Sequence, residues 1–320
     1  MKARALWVAG PGTAEIREEA GGPAGPDEVV VATRFSGISR GTEALVFRGG
    51  VPEGERGRMR APLQGGAFPF PVKYGYAAVG RVVAGPGELV GREVFVLHPH
   101  QDRFVAPAAM AVPLPEGVPA GRAVLAANME TALNVVWDAG VAPGDRVAVI
   151  GAGVVGALVG WLCGRLPGAE VTLVDVNPGR AAVAAALGCG FAAPAGCPGD
   201  CDVVVHASAS GAGLAMALAA AGVEATVVEA SWYGDRAVEV GLGGAFHARR
   251  LRIVASQVGM VPAARRARWD NRRRLEVALG LLAEPALDVL VSGETRFEEL
   301  PGRYGAILDD AGTLCHRVVY

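Results

Sequence analysis

Hydrophobic and polar positions follow different periods in successive parts of the chain. Up to about residue 120, short apolar runs at 28–33, 78–84 and 92–97 are separated by glycine and proline, which predicts β-strands joined by turns. From Val124 the apolar residues recur at helical spacing, and Asn128 is placed to cap the helix that follows. The first part of the chain is therefore predicted to be a β-rich domain.

The middle of the chain alternates apolar runs of strand length with segments of helical period. The candidate strands are 147–150, 171–174, 203–206, 225–229 and 252–255, with helices between the early ones. This alternation predicts a parallel sheet in a doubly wound α/β fold, because parallel strands are joined by helical crossovers.

The C-terminal tail returns to a helix at 272–282 and then to β-like pieces that end at 315–320. We infer that this tail closes back onto the N-terminal domain. The predicted organisation is an α/β protein with a doubly wound Rossmann domain at 122–263, inserted into a β-rich substrate domain formed by 1–121 and 264–320.

The strongest functional signal is the run Arg146-Val-Ala-Val-Ile-Gly151-Ala-Gly153-Val-Val-Gly156, followed by a second apolar run that ends in Asp175. A Gly-x-Gly-x-x-Gly pattern between a strand and a helix lets the backbone approach a pyrophosphate, and the helix N-terminus supplies N–H groups and a positive dipole. Asp175 follows Gly156 by 175 − 156 = 19 residues, near the offset of about 20 at which an acid binds ribose hydroxyls. The pattern predicts a bound nicotinamide dinucleotide.

The charge of Asp175 also indicates which dinucleotide binds. A carboxylate at about 4 Å would repel a 2′-phosphate by about 4 kcal/mol per charge pair at an effective dielectric constant of about 20, so NAD is favoured over NADP. Arg180, shortly after Asp175, could partly relieve that repulsion. The remaining predicted cofactor contacts are Val154, Val155, Thr131 and Ser208.

Composition and charge narrow the class of partner. The 320 residues carry a formal net charge of −2, which argues against nucleic acid or an anionic membrane surface as the main partner. The five cysteines are odd in number and contain no Cys-x-x-Cys pair, so neither a disulfide framework nor a four-cysteine zinc lobe is indicated. The N-terminal residues lack a signal-peptide pattern. These features predict a cytoplasmic protein that acts on a small molecule.

Three local motifs give the chain a resemblance to the medium-chain dehydrogenase/reductase superfamily. Residues 35–43, Phe-Ser-Gly-Ile-Ser-Arg-Gly-Thr-Glu, are similar to the family's Gly-Ile-Cys-Gly-Thr/Ser-Asp with one residue inserted, and this version also resembles the bacteriochlorophyllide hydroxyethyl dehydrogenase branch. Residues 75–80, Gly-Tyr-Ala-Ala-Val-Gly, are similar to Gly-His-Glu-x-x-Gly, and residues 144–147 lead into the first Rossmann strand as in that family. The resemblance implies a GroES-like substrate domain and a homodimer or homotetramer.

The departures from that family concern its metal sites. A Cys, a His and a third ligand hold the catalytic zinc of its alcohol dehydrogenases; the resemblance places Ser39, Tyr76 and Ala127 at those positions. These side chains do not replace thiolate and imidazole as zinc ligands. The four-cysteine lobe is also missing, because residues 98–103 read His-Pro-His-Gln-Asp-Arg. We expect no bound metal, and a surface loop is favoured over a new metal site in that segment.

Without zinc, protein groups must supply the proton and stabilise the oxyanion. The resemblance places Tyr76 where the family has its zinc-binding histidine, so its phenol is a candidate donor to a carbonyl oxygen; the alternative is an aromatic ring that fills the vacated site. Ser39 stands at the position of the zinc cysteine, and Thr42 matches the hydroxyl of the family's proton relay or is an ordinary turn residue. Glu43 matches an acid that orients the metal-binding histidine, and it is either structural or an influence on Tyr76.

Further candidates come from other segments. Glu130, in the predicted central helix, is either a general base or a carboxylate favoured by the helix dipole. His98 and His100 lie at a strand end that lines the family's substrate pocket, and an imidazole with an ordinary pKa of about 6.5 suits acid/base work. Arg40 matches a position that touches the pyrophosphate in relatives. The arginine-rich run 265–274 either attracts an anionic substrate or forms a solvated helix face.

These observations lead to one functional expectation and two alternatives. We expect a zinc-independent oxidoreductase that transfers hydride between NAD(H) and an alcohol/ketone pair. The first alternative is a quinone or enoyl reductase of the same fold that uses NADPH, which Asp175 disfavours. The second alternative is a non-catalytic NAD-binding protein, which the absent metal ligands favour.

Overall fold

The computed structural model describes residues 2–320 and divides the chain into two compact units. The first unit comprises the residues up to Ala127 together with Leu279–Tyr320, and the second comprises Asn128–Ala278. The predicted Rossmann segment was 122–263, so the second unit begins and ends later along the chain. Its late end includes most of the helix Asn271–Leu281, whose buried Arg274 is bonded to residues of the second unit.

The helices and strands are numbered in chain order. The strands are β1 (Lys2–Gly10), β2 (Thr13–Ala20), β3 (Glu28–Ser39), β4 (Gly65–Gly66), β5 (Val72–Lys73), β6 (Ala78–Ala84), β7 (Glu93–Val96), β8 (Arg103–Pro107), β9 (Val112–Pro113), β10 (Arg146–Ile150), β11 (Glu170–Val174), β12 (Gly190–Ala192), β13 (Cys201–His206), β14 (Ala221–Glu229), β15 (Arg252–Ala255), β16 (Val291–Arg296) and β17 (Cys315–Val319). The α-helices are α1 (Arg40–Phe47), α2 (Ala120–Ala123), α3 (Ala126–Ala139), α4 (Val154–Cys163), α5 (Arg180–Ala186), α6 (Gly211–Ala220), α7 (Asn271–Leu281) and α8 (Leu300–Asp309).

The first unit is built on two sheets. One sheet has the strand order β2-β1-β5-β4, and the other has the order β16-β17-β3-β6-β7-β9, with β8 also paired to β3. The last strand, β17, runs antiparallel to β3, with Cys315 opposite Ser39 and Val319 opposite Phe35. The C-terminal tail thus supplies a strand to this sheet, paired with β3, the strand that ends at Ser39. An apolar core of this unit lies among valine, alanine and phenylalanine side chains of the second sheet and the turn after it: Val29, Val31, Ala78, Val82, Val94, Val96, Phe104, Ala106 and Ala111.

The second unit contains one parallel sheet of six strands in the order β12-β11-β10-β13-β14-β15. Helices α4, α5 and α6 each connect one strand to the next strand in sequence. The strand order reverses between β10 and β13, which is the doubly wound Rossmann arrangement, and ligands of such sheets bind at the carboxyl ends of the strands near this point. The predicted α/β class, a Rossmann domain with a β-rich second domain, is confirmed.

Two details of the second unit differ from the sequence prediction. Asn128 does not cap α3, because the helix begins at Ala126 and Asn128 is its third residue, buried at 4% exposure. The two preceding alanines are strong helix formers and extend the helix toward its N-terminus. The edge strand β12 was not predicted, since its three residues are too short to show an apolar period.

A helix that could cross a bilayer needs about 20 apolar residues. Among residues 2–320, no helix is long and apolar enough to do so.

Candidate active site

The three glycines of the Gly-x-Gly-x-x-Gly run are required for three different reasons. Gly151 has φ +106°, in the region that side-chain-bearing residues rarely adopt, and a Cβ there would lie 2.7 Å from the backbone nitrogen of Ser208. A Cβ on Gly156 would lie 1.9 Å from the carbonyl oxygen of Gly151, so α4 can approach the turn only with glycine. A Cβ on Gly153 would meet no protein atom within 4 Å. Gly153 therefore leaves space in front of the helix N-terminus.

Asp175 is held against this glycine turn by two backbone hydrogen bonds. Its Oδ2 accepts from the N–H of Ala152 at 2.7 Å, and its Oδ1 accepts from the N–H of Asn177 at 2.8 Å. The side chain is half-buried, and each carboxylate oxygen retains a further lone pair. The glycine turn and Asp175 thus form one structure that fits a dinucleotide: first-turn N–H groups of α4 for the pyrophosphate and a carboxylate for ribose hydroxyls.

The other predicted cofactor residues are distributed over both units. In the second unit, Val154 and Val155 open α4, Ser208 is exposed just after β13, Thr131 is half-buried in α3, and Arg180 is buried as the first residue of α5. Ser208 lies next to Gly151, since a Cβ on Gly151 would lie 2.7 Å from the backbone nitrogen of Ser208. In the first unit, Arg40 begins α1 and its Nε donates to the carbonyl oxygen of Leu308 at 3.1 Å.

In the first unit, the phenol of Tyr76 lies among hydroxyl groups. Tyr76 is half-buried in the segment between β5 and β6, and the side chains of Ser39 and Thr42 lie close enough to influence its pKa. Burial and the nearby charge of Glu43 raise the pKa of Tyr76 to about 12, although Ser39 and Thr42 oppose this shift. The group is therefore a protonated phenol throughout the physiological range, and it can donate a proton.

Glu43 is a buried carboxylate with three donors. It accepts hydrogen bonds from the backbone N–H of Ser39 at 2.7 Å, from Nε2 of His100 at 2.9 Å and from the hydroxyl of Tyr304 at 2.5 Å. Glu43 and His100 are each 1% exposed. Since a carboxylate only accepts, the ionised group requires the hydrogen on Nε2 of His100. Glu43 thus links the end of β3, the segment before β8 and helix α8.

The network continues through the other nitrogen of His100. Nδ1 lies 2.7 Å from the hydroxyl of Ser36, which lies 2.9 Å from the hydroxyl of Tyr320. With Nε2 protonated and the ring neutral, Nδ1 accepts from Ser36, and Ser36 can accept from Tyr320. His100 is therefore a buried partner of Glu43, and not the surface-loop histidine expected from the sequence.

His98 is also buried, at 4% exposure, where a surface loop was expected. Its ring stacks on Phe104 with 3.6 Å between ring centroids, and its Nδ1 donates to the carbonyl oxygen of Pro99 at 2.9 Å. Burial lowers the pKa of His98 to about 3. His98 is thus a neutral, packed imidazole, which does not suit acid/base work near neutral pH.

Glu130, the predicted general base, is paired with a buried arginine of the second unit. Its Oε1 accepts from Nε of Arg274 at 3.0 Å, and Arg274 also donates to Asn134 and to the carbonyl oxygen of Val258. Burial raises the pKa of Glu130, while the charge of Arg274 opposes that shift. The ion pair satisfies both side chains. The burial of Arg274 also sets it apart from the exposed arginines of the run 265–274, for which a solvated helix face was one of the two alternatives.

Sequence reasoning missed several polar residues that complete these networks. Ser36 lies in the 35–43 motif but was given no role, and Tyr304 and Tyr320 carry no motif. The two tyrosines reach Glu43 and Ser36 only through the packing of α8 and the pairing of β17 with β3. His206 and Glu229 were placed only at strand ends. A polar side chain at the carboxyl end of an apolar parallel strand was the signal that could have singled them out.

The zinc positions suggested by the family resemblance carry a donor set that does not fit the metal. Ser39 and Tyr76 present hydroxyls, and Ala127 has no ligating atom. Within residues 2–320, no group of three or more His, Cys, Asp and Glu side chains is arranged to hold a metal ion.

Comparison with known proteins relates the fold to dehydrogenases. No protein-family model matches the chain. L-idonate 5-dehydrogenase from Escherichia coli K-12 has a similar structure, with a TM-score of 0.81, 16% identity, and coverage of 100% of this chain and 99% of that one. A protein from E. coli CFT073 named a short chain alcohol dehydrogenase, complexed with NADH, has a TM-score of 0.79, 18% identity and the same coverage.

A third similar structure holds the phosphorylated cofactor. It is a protein from Sinorhizobium meliloti 1021 assigned as a zinc-binding dehydrogenase and bound to NADP, with a TM-score of 0.78, 19% identity and full coverage of both chains. At these identities the likeness establishes the fold. The chain therefore has the fold seen in these dehydrogenase structures.

Alanine substitutions should separate the roles of Gly156 and Gly153. We expect Gly156→Ala to destabilise the protein by about 2 kcal/mol or more, because the new Cβ would clash with a backbone carbonyl. Gly153→Ala, which places a Cβ in open space at the same turn, should change the unfolding free energy by less than about 1 kcal/mol. Denaturant unfolding measures both; equal stability of the two variants would contradict this account of the turn.

Stability should fall in acid because of His98. Its folded-state pKa of about 3 lies below the ordinary value, so its contribution is present above about pH 6.5 and is lost as pH falls toward 3. Between pH 6.5 and 4 this amounts to at most about 3 kcal/mol, at about 1.4 kcal/mol per pH unit. His98→Asn retains a donor for Pro99 but cannot titrate, so its unfolding free energy should depend less on pH. Parallel curves for the two proteins would show that His98 is not the titrating group.

Proposed function

We propose that this protein is a zinc-independent oxidoreductase that transfers hydride between NAD(H) and an alcohol/ketone pair, with Tyr76 as the proton donor to the carbonyl oxygen. The observation that carries the proposal is a protonated phenol close to the hydroxyls of Ser39 and Thr42, at the positions where the family resemblance expects metal ligands and a proton relay. The dehydrogenase-like fold and the glycine turn with Asp175 support the same class of reaction.

The residues that would hold the cofactor lie in the second unit. The N–H groups at the start of α4 would bind the pyrophosphate, and Asp175 would accept from the ribose hydroxyls. When bound, a nicotinamide ring supplies or accepts the hydride. One structural neighbour holds NADH and another holds NADP. The negative charge of Asp175 supports NAD as the cofactor of this chain.

Tyr76 would take over the part that a metal plays in relatives. In reduction of a ketone, negative charge develops on the carbonyl oxygen, and a positioned donor both stabilises that charge and delivers a proton. Burial and the charge of Glu43 keep the phenol protonated. After donation, the hydroxyls of Ser39 and Thr42, which favour the phenolate, would stabilise it, and Thr42 would return a proton to it.

Glu43 would act on the reaction through Tyr76. Its own carboxylate is bonded to Ser39, His100 and Tyr304, so it is held in place beneath the phenol. A fixed negative charge near a phenol disfavours the phenolate. The group therefore stays protonated and is available as a proton donor. This electrostatic arrangement supports the reductive direction.

Substrate charge, assembly and location belong to the same proposal. Exposed arginines of the run 265–274, such as Arg265 and Arg268, would attract an anionic substrate. The family resemblance supports a homodimer or homotetramer. Five unpaired cysteines support a reducing, cytoplasmic location.

Substitution of the donor tests this function directly. Tyr76→Phe removes the hydroxyl but retains the ring, so we expect kcat for ketone reduction with NADH to fall about 100-fold or more, within the range typical of general acids. Tyr74→Phe is the matched control, because the ring of Tyr74 packs edge-on against that of Tyr76 with 6.0 Å between the ring centroids. This variant should keep kcat within about twofold of the wild type. The wild-type activity should also survive EDTA. Full turnover in Tyr76→Phe, or stoichiometric zinc in the purified protein, would contradict the proposal.

Cofactor choice should depend on the charge of Asp175. Asp175→Asn removes the repulsion of a 2′-phosphate, so we expect NADPH affinity to rise about tenfold. This gain is smaller than the full repulsion of several kcal/mol, because solvent screens the two charges. NADH affinity should fall, since an amide offers a single acceptor oxygen. Asp202→Asn is the control, because Asp202 also accepts a backbone N–H, that of Arg146 at 2.8 Å, but at the opposite end of the strands. Fluorescence titration measures both cofactors; tighter binding of NADPH than NADH by the wild type would favour the quinone or enoyl reductase alternative.

A further inference from the structure

Three side chains of the second unit form a hydrogen-bonded line at the carboxyl ends of β13 and β14. The hydroxyl of Ser208 lies 2.7 Å from Nε2 of His206, and Nδ1 of His206 lies 2.7 Å from Oε2 of Glu229. His206 is fully buried, whereas Ser208 is exposed. A nucleophile bonded to a base that is itself oriented by an acid is the arrangement that activates serine hydroxyls in acyl-transfer enzymes.

Glu229 is held so that it can orient His206. Its Oε1 accepts from the backbone N–H of Ser231 at 2.8 Å, and its Oε2 also accepts from the hydroxyl of Tyr233 at 3.0 Å. Burial pushes the pKa of Glu229 upward, but the hydrogen bond and charge of His206 and the bonds from Ser231 outweigh it and leave the pKa below its ordinary value. In the tautomer whose Nδ1 hydrogen is donated to Glu229, Nε2 carries a lone pair that accepts from the hydroxyl of Ser208.

The backbone around Ser208 is a sharp strand–turn–helix. Ser208 follows β13, Ala209 has φ +52° in the left-handed region, and Ser210 caps α6 by accepting from the N–H of Gly213 at 3.0 Å. The N–H of Ala209 donates to the hydroxyl of Ser231 at 3.0 Å and fixes this turn. A non-glycine residue in this conformation is uncommon and is often found at functional sites. The α/β-hydrolases also expose their serine on a strained turn between a strand and a helix, whereas here the positive φ belongs to Ala209, the residue after the serine.

Gly213 leaves the space in which the hydrogen bond forms. A Cβ at this position would lie 2.2 Å from the hydroxyl oxygen of Ser208 and 2.7 Å from Nε2 of His206. Any larger residue would displace the serine from the histidine. The contact between Ser208 and His206 therefore depends on a specific small residue in the facing helix.

We propose that Ser208, His206 and Glu229 form a nucleophilic site that hydrolyses small carboxylic esters when no dinucleotide is bound; this chemistry differs from hydride transfer, although Ser208 is also a predicted cofactor contact. His206 takes the hydroxyl proton as Oγ of Ser208 bonds to the ester carbonyl carbon, and the same proton then leaves with the alcohol as the carbon–oxygen bond breaks. Water then gives a proton to His206 as its oxygen bonds to the acyl carbon, and that proton passes to Oγ of Ser208 as the Oγ–carbon bond breaks and the acid leaves. The N–H groups of Gly211 and Ala212, which open α6 and have no acceptor inside the helix, stabilise the oxyanion.

A fluorophosphonate probe tests the nucleophile, since displacement of fluoride by an activated serine leaves a stable adduct. The intact protein, without added nicotinamide, is labelled and mapped by peptide mass spectrometry, and its hydrolysis of p-nitrophenyl acetate is measured in parallel. We expect one adduct per chain on Ser208 and an initial burst of p-nitrophenol. An unlabelled Ser208 in the wild-type protein overturns the proposal.

Four variants locate the source of reactivity. Ser208→Ala should abolish the adduct. Glu229→Gln should slow labelling at least tenfold. Gly213→Ala should slow it by the same factor, although the side chains of Ser208, His206 and Glu229 all remain in that variant. Ser210→Ala removes a hydroxyl that lies 3.0 Å from that of Ser208 and caps α6; this variant should still form the adduct on Ser208, which shows that Ser210 is not the labelled residue. Circular dichroism confirms that each variant is folded. Wild-type labelling rates in both Glu229→Gln and Gly213→Ala, or an adduct on Ser210, would show that the serine is not activated in this way.

Discussion

The buried carboxylate of Glu43 is the constraint on which the first unit's site depends. Removing a charge from water costs several kcal/mol, and the cost is tolerable only when hydrogen-bond donors surround the group. Here the donors come from the end of β3, from His100 and from Tyr304 in α8, 261 positions later in the chain. Satisfying one carboxylate therefore fixes three distant segments, and it places a negative charge where it keeps the Tyr76 phenol protonated.

The second unit depends on close approach of the backbone. Gly156 allows α4 to meet the carbonyl oxygen of Gly151, and Asp175 ties the turn to the end of β11 through the N–H of Ala152. The parallel sheet then brings the end of β13 beside the same turn, so Ser208 lies against Gly151. Two different chemistries, dinucleotide binding and the proposed serine site, thus arise from the ends of adjacent strands, where parallel sheets concentrate polar groups.

The residues that were hardest to interpret from sequence are the buried polar ones. His98 and His100 sit in a segment with proline, glutamine, aspartate and arginine, a composition typical of a surface loop, yet both are buried, one against Phe104 and one against Glu43. Glu130 and Arg274 are 144 positions apart and pair inside the second unit. A local pattern carries no information about such partners, because burial of a polar group is decided by what distant segments present to it.

The sequence by itself determined the features that come from local backbone physics. Apolar period and length predicted five of the six strands of the Rossmann sheet to within four residues at their ends, and glycine spacing followed by an acid predicted the turn and the position of Asp175. The family resemblance also implied hydroxyls at positions where that family carries metal ligands. Only the tertiary structure decided the protonation of Tyr76, the partners of Glu43 and the alignment of Ser208 with His206 and Glu229. Those properties depend on distances between residues far apart in the chain, and the free energy of a hydrogen bond or a buried charge is set by those distances and by the exclusion of water.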